Sequence, residues 1–186
     1  IMRENMKALV FDTELKLVNN LEKPQPKSGE ALIKVSFVGI CNTDSEIVKG
    51  YMGYKGILGH EFVGVVEQVA DEKDCFLIGK RVLGELNLGC NNCDYCYRHL
   101  ERHCPNRSTL GIWKKEGCFC EYLTLPVANL LEVPDCVKDE FAVFTEPLAA
   151  AVEIFEQIHI EPSHKVCVLG DGKLGLLCAL VLNAYN

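Results

Sequence analysis

The sequence predicts a mainly β, partly open barrel with short helices, followed by the first strand–turn–helix step of a parallel α/β sheet. Three observations point there. Short apolar runs separated by glycine and proline fill the first half, the texture of a barrel-like β domain. After Pro134 the apolar residues change to helical spacing. Near the end, the apolar run 165–169 leads into a glycine turn and a second helical pattern. With 186 residues, 48% hydrophobic and 24% charged, the chain has material for a folded core of useful size.

Taken in order, residues 7–11 and 15–18 read as a strand pair, with the first strand opening at Met6. Pro24 and Pro26 then punctuate, and 31–38 is a good strand. A short helix is expected over 44–49, because Thr43-x-x-Glu46 has the form of a capping box. Residues 62–69 and 81–83 are further strands, with Gly64, Gly79 and Gly84 expected as bends. Pro147 suits the first residue of a helix in which Leu148, Val152 and Phe155 share a face. The strand 165–169, the turn Gly170-Asp171-Gly172-Lys173-Leu174-Gly175 and a helix to about Ala184 complete the pattern. One such unit cannot bury both faces of a parallel strand, so more chain is expected beyond it.

Charge and composition exclude several classes. A net charge of −7 argues against nucleic acid as the partner. No run approaches the ~18 apolar residues of a membrane span, and no apolar signal core opens the chain, so a cytoplasmic location is expected. Eleven cysteines, four of them crowded between Cys90 and Cys104, point to metal rather than to stapling disulfides.

The spacing Cys90-x2-Cys93-x2-Cys96-x7-Cys104 suits four thiolates around one zinc, a closed and therefore structural site. An iron–sulfur cluster also uses C-x2-C-x2-C, but with a final gap of three residues and a second cluster of cysteines. A second, open site is read from Cys41, at the end of the strand 31–38, and from His60 in Gly59-His60-Glu61. Asp44 is placed to hydrogen-bond the ring nitrogen of His60 that faces away from a metal. Glu146 is the best third ligand, although a carboxylate there also suits a helix N-terminus. Three protein ligands and a water make a catalytic zinc site. The glycines Gly170, Gly172 and Gly175, with Leu174 beside them, follow a strand and open a helix, the context a dinucleotide-binding turn requires.

In this order the motifs resemble those of zinc-dependent medium-chain alcohol and polyol dehydrogenases. Gly-Ile-Cys-Asn-Thr-Asp at 39–44, Gly-His-Glu-Phe-Val-Gly at 59–64, the four cysteines, Glu-Gly-Cys-Phe-Cys-Glu-Tyr at 116–122, Glu-Pro-Leu-Ala-Ala-Ala at 146–151 and the glycine turn carry the likeness. It implies a GroES-like catalytic domain over 6–147, and over 148–186 the beginning of a Rossmann domain, in a chain roughly twice as long. It further implies two zinc ions, NAD or NADP as cofactor, and a small alcohol or polyol as substrate. Homo-oligomers in the family usually form through the second domain. Thr43 stands where the family's hydroxyl passes the alcohol proton outward, a role that competes with helix capping. Glu61 is expected beside the metal, as a neighbour or an exchanging ligand. Asn42 stands where the family often has Gly or Arg, Glu46 where some members carry a relay histidine, and Cys120 where alanine is commoner. The acidic residue that reads the ribose 2′-hydroxyl falls about twenty residues past the turn, beyond Asn186. The 186 residues alone are accordingly expected to be inactive. Competing readings are a dehydrogenase-like protein without catalytic metal and a zinc-stabilised interaction module; both leave part of the motif set unused.

Overall fold

The computed structural model describes residues 4–185. In chain order the first strands are β1 (Asn5–Phe11), β2 (Leu15–Glu22) and β3 (Glu30–Gly39), followed by helix α1 (Asn42–Val48). Next come β4 (Gly56–Ile57), β5 (Glu61–Val69), β6 (Arg81–Gly84) and β7 (Asn87–Leu88), then the single turn α2 (Asp94–Tyr97). Strands β8 (Ser108–Leu110), β9 (Lys114–Lys115), β10 (Tyr122–Pro126) and β11 (Leu130–Glu132) lead to helices α3 (Asp139–Ala142), α4 (Thr145–Gln157) and α5 (Lys173–Ala184). None of the described helices is long and apolar enough to cross a membrane.

The backbone of the first part is a five-stranded antiparallel sheet in the order β10-β3-β5-β6-β11. Ala31 and Ile33 of β3, Phe62 and Val66 of β5, Val82 of β6 and Leu123 and Leu125 of β10 turn one face inward and form its main core. Two register shifts between β3 and β5, at Leu32/Ile33 and Val35/Phe37, bend the pair as bulges do. The β1–β2 hairpin and β4 form a second sheet, which closes on the first through the isolated Ala8–Cys120 bridge and a Leu9 N–H to Phe119 O bond of 2.8 Å. The result is the expected mainly β, partly open barrel. Strands β7, β8 and β9 make a small third sheet beside the cysteine-rich segment.

Several local expectations need correcting. Helix α1 starts two residues early, at Asn42, and its cap is Cys41 rather than Thr43. The box closes through Asp44, whose Oδ2 accepts from the Cys41 N–H at 2.9 Å, while Thr43 lies inside the first turn. Gly64 and Gly84 are not bends: both lie in strands, where a side chain would strike Lys34 O and Leu125 Cδ1 at 2.6 and 2.7 Å. Gly79, at φ +82°, is a true turn. Pro147 is the third residue of α4, still within the first turn, where no intrahelical N–H bond is lost.

The described residues divide into two compact units, the break falling between Val143 and Phe144. In the second, α4 and α5 pack through Ala151, Val181 and Leu182, and Phe155 stacks on Tyr185 with ring centres 4.3 Å apart. The expected strand 165–169 is not formed. Its residues are exposed coil, with Leu169 95% exposed, because no described strand offers a ladder of hydrogen bonds to them.

Candidate metal centres

Strand register assembles the first centre. The Gly39–Glu61 pair closes the β3–β5 ladder, so Cys41, two residues past β3, and His60, one residue before β5, emerge at the same end of the sheet. Donor atoms of Cys41, His60 and Glu61 all lie within 4.8 Å of one another. His60 and Glu61 are buried and Cys41 is half-buried. Gly39 makes room for the carboxylate, since a side chain there would collide with Glu61.

Asp44 ties this centre together. Beyond the Cys41 N–H, its other oxygen accepts from the Gly59 N–H at 3.2 Å and stands 3.5 Å from His60 Nδ1. The carboxylate is 4% exposed, so it fastens both donor-bearing loops from inside the protein. At 3.5 Å the approach to His60 is electrostatic rather than a formed hydrogen bond, and among the described residues buried Nδ1 has no hydrogen-bond partner. Burial pulls the His60 pKa down, but Asp44 and Cys41 overcome it and push it up to about 9. An imidazole, a thiol and a carboxylate whose donor atoms converge within 4.8 Å form a donor set that fits a divalent zinc ion, which would displace the proton from His60 on binding. Thr43 Oγ1 lies 3.6 Å from Cys41 Sγ, at the edge of the same cluster.

The second centre is built by the loop between β7 and β8. Sulfurs of Cys90, Cys93, Cys96 and Cys104 all lie within 4.8 Å, with Cys93 Sγ 3.6 Å from Cys96 Sγ and 3.7 Å from Cys104 Sγ. A tetrahedron with zinc–sulfur bonds of about 2.3 Å has edges of about 3.8 Å, so these separations suit one ion and are far too long for a disulfide. All eleven cysteines are free thiols. The Cys90 N–H points at Cys104 Sγ at 3.5 Å, and Gly89 leaves space for Cys96 Sγ. Without an ion the four sulfurs cannot all ionise. Burial and the neighbouring thiols push Cys96 up to about 12, whereas at Cys104 burial is outweighed by the Cys90 N–H and the pKa falls to about 7.

Residues 27–135 match the model of the alcohol dehydrogenase GroES-like domain. The chain belongs to the zinc-dependent alcohol dehydrogenase family. It is 31% identical over 169 residues to L-threonine 3-dehydrogenase of Shewanella loihica, covering 87% of this chain and 49% of that protein. Among solved structures it is similar to the RspB alcohol dehydrogenase of E. coli CFT073 in complex with NADH, at TM-score 0.88 and 31% identity, covering 96% of this chain and 53% of that one. A zinc-binding dehydrogenase from Sinorhizobium meliloti bound to NADP gives TM-score 0.88 at 28% identity, covering 98% and 54%. The chain thus spans about half the length of the curated relatives it matches.

The remaining alcohol dehydrogenase motifs fall in the second unit. Glu146 stands in the first turn of α4. Gly170 has φ +119°, Gly172 caps α5, and a side chain on Gly175 would collide with Gly170 O, as expected of a glycine that lets a helix pack close to its turn. Leu174 lies in the first turn of α5, half-exposed. Two residues on the segments beside the first centre were given no role by the sequence. Cys118 is fully buried and its thiol donates to Glu61 O at 3.5 Å, and Glu116 accepts from the Ile57 N–H at 2.5 Å. Both lie inside the Glu-Gly-Cys-Phe-Cys-Glu-Tyr motif, which marked the family without indicating what its side chains touch.

Proposed function

We propose that this chain is the metal-binding catalytic part of an NAD(P)-dependent dehydrogenase, acting in the cytoplasm on a small alcohol or polyol. The convergence of Cys41, His60 and Glu61 donor atoms within 4.8 Å, with Asp44 behind them, is the observation that carries this reading. Cys41 and His60 would hold zinc, with Glu146 as third ligand on the strength of its sequence motif, and Glu61 as an exchanging ligand or close neighbour. The four cysteines 90, 93, 96 and 104 would hold a second, structural ion. A zinc ion bound at the first centre supplies Lewis acidity, lowering the pKa of a substrate hydroxyl so that hydride can leave the carbinol carbon.

The chain's own residues do the rest. Asp44 keeps the Cys41 and Gly59 backbones in place and directs the His60 ring with its Nδ1 edge inward, leaving Nε2 as donor. Thr43 takes the proton of the substrate hydroxyl and passes it toward solvent. Gly170, Gly172 and Gly175 bring backbone N–H groups and the start of α5 against the dinucleotide pyrophosphate, with Leu174 beside the glycines. In balance, alcohol and NAD(P)+ give carbonyl compound, NAD(P)H and one proton.

The test is hydride transfer by the full-length protein against a panel of polyols, simple alcohols and amino alcohols, with each nicotinamide. The reading expects at least one substrate to turn over, and activity to vanish in Cys41→Ser while the fold is kept. Turnover that survives Cys41→Ser would remove the metal from the mechanism.

A further inference from the structure

His60 ends a short run that begins at Tyr54, and groups outside the donor set fasten that run at its start. The Tyr54 hydroxyl is buried, 3.1 Å from Ile57 O and 3.0 Å from Lys115 O, so its proton bridges the run to the segment alongside. Glu116 Oε2 accepts from the Ile57 N–H on the same stretch. Gly56, at φ +139°, sits between the two: a side chain there would stand 2.8 Å from Glu116 Oε2 and 2.9 Å from Tyr54 Oη. From this point the run is zipped to its neighbour by backbone. Gly117 N–H donates to Ile57 O at 2.8 Å, Phe119 N–H to Leu58 O at 2.9 Å and Cys118 N–H to Gly59 O at 3.0 Å. The next residue is His60.

We propose that Tyr54 and Glu116 form a latch that positions His60, so that the grip of the Cys41–His60 centre on its metal depends on two side chains that never touch it. The inference rests on the metal-binding reading given above. Its physical basis is the shortness of the run. Only Leu58 and Gly59 separate Ile57 from His60, and Leu58 is 1% exposed, so a shift at Ile57 cannot be absorbed by a flexible loop before it reaches the imidazole. Asp44 fixes the far end through Gly59, and the latch fixes the near end. Burial and the Glu116 charge hold the Tyr54 phenol protonated, which keeps it a donor at any ordinary pH.

The experiment is metal release from the cobalt-substituted protein into excess chelator. The four-sulfur centre, with its stronger thiolate charge-transfer absorption, is followed as an internal reference. Tyr54→Phe keeps the ring and removes only the hydroxyl; Glu116→Ala removes the acceptor; Glu116→Gln retains an oxygen that can accept from Ile57. The latch predicts about tenfold faster release from the Cys41 centre in the first two, and release within about twofold of wild type in Glu116→Gln. Release from the four-cysteine centre should be unchanged. Wild-type rates in both Tyr54→Phe and Glu116→Ala overturn the latch alone. Faster release from both centres means general loosening of the fold, and also overturns it. If the wild-type protein takes up no metal at Cys41, the functional reading itself fails, and the latch with it.

Discussion

Replacing Asp44 with alanine is the perturbation the structure predicts most sharply. Its carboxylate accepts the Cys41 N–H at 2.9 Å and the Gly59 N–H at 3.2 Å. Hydrogen bonds to a charged partner contribute about 1.5–3 kcal/mol each, and a donor left buried without a partner costs about 1–3 kcal/mol. Because the two bonds share one carboxylate, they do not add fully, and a loss of about 3–5 kcal/mol is expected. For a unit of this size that corresponds to a melting temperature lower by roughly 10–15 °C. His60 also loses the charge facing Nδ1, and loss of such a partner lowers metal affinity about 10–100-fold. Calorimetry of metal-loaded and chelated protein gives the first quantity, and competition against a chelator the second. Asp44→Asn should fall between, since one amide oxygen can still accept a single N–H. If Asp44→Ala melts within a degree of wild type and competes equally for zinc, the carboxylate is not the tie described.

Three further outcomes follow from other parts of the structure. Zinc uptake by the metal-free four-cysteine centre at pH 7 should release at least two protons per ion, because Cys90 is held above its ordinary pKa and Cys96 is pushed up to about 12. Calorimetric titration in buffers of different ionisation enthalpy counts them, and release of fewer than one contradicts the thiolate assignment. Burial lowers the Lys115 pKa below its ordinary value, so the folded state is penalised while the lysine is charged, fully below the folded pKa and not at all above the unfolded one. Lys115→Met should therefore raise the melting temperature at neutral pH, by an amount that shrinks as pH rises toward that of free lysine. Leu125→Ala, in the fully buried core of β10, should cost about 2–5 kcal/mol in urea unfolding without altering either metal centre.

What the sequence revealed and what it hid have physical reasons. The four cysteines could be read from spacing because a closed thiolate shell on one loop leaves little freedom in the gaps. Strands β3 and β5 were legible from apolar runs that meet the core, and their register is what brings Cys41 and His60 together. The cap of α1 was misplaced because cysteine is not among the usual capping residues, and the capping work is done by the Asp44 carboxylate, already marked for His60. Strand 165–169 has the right composition, but a strand exists only with a neighbour to pair with. Tyr54 and Glu116 were invisible because each acts on backbone groups, a contact that leaves no trace in side-chain spacing.

The most direct test of the central claim is zinc per chain, measured by elemental mass spectrometry on the wild type and on Cys41→Ser. Two ions in the wild type and one in the variant are expected, the survivor being held by the four cysteines. One ion in both proteins would leave the Cys41–His60 centre without metal and would contradict the account.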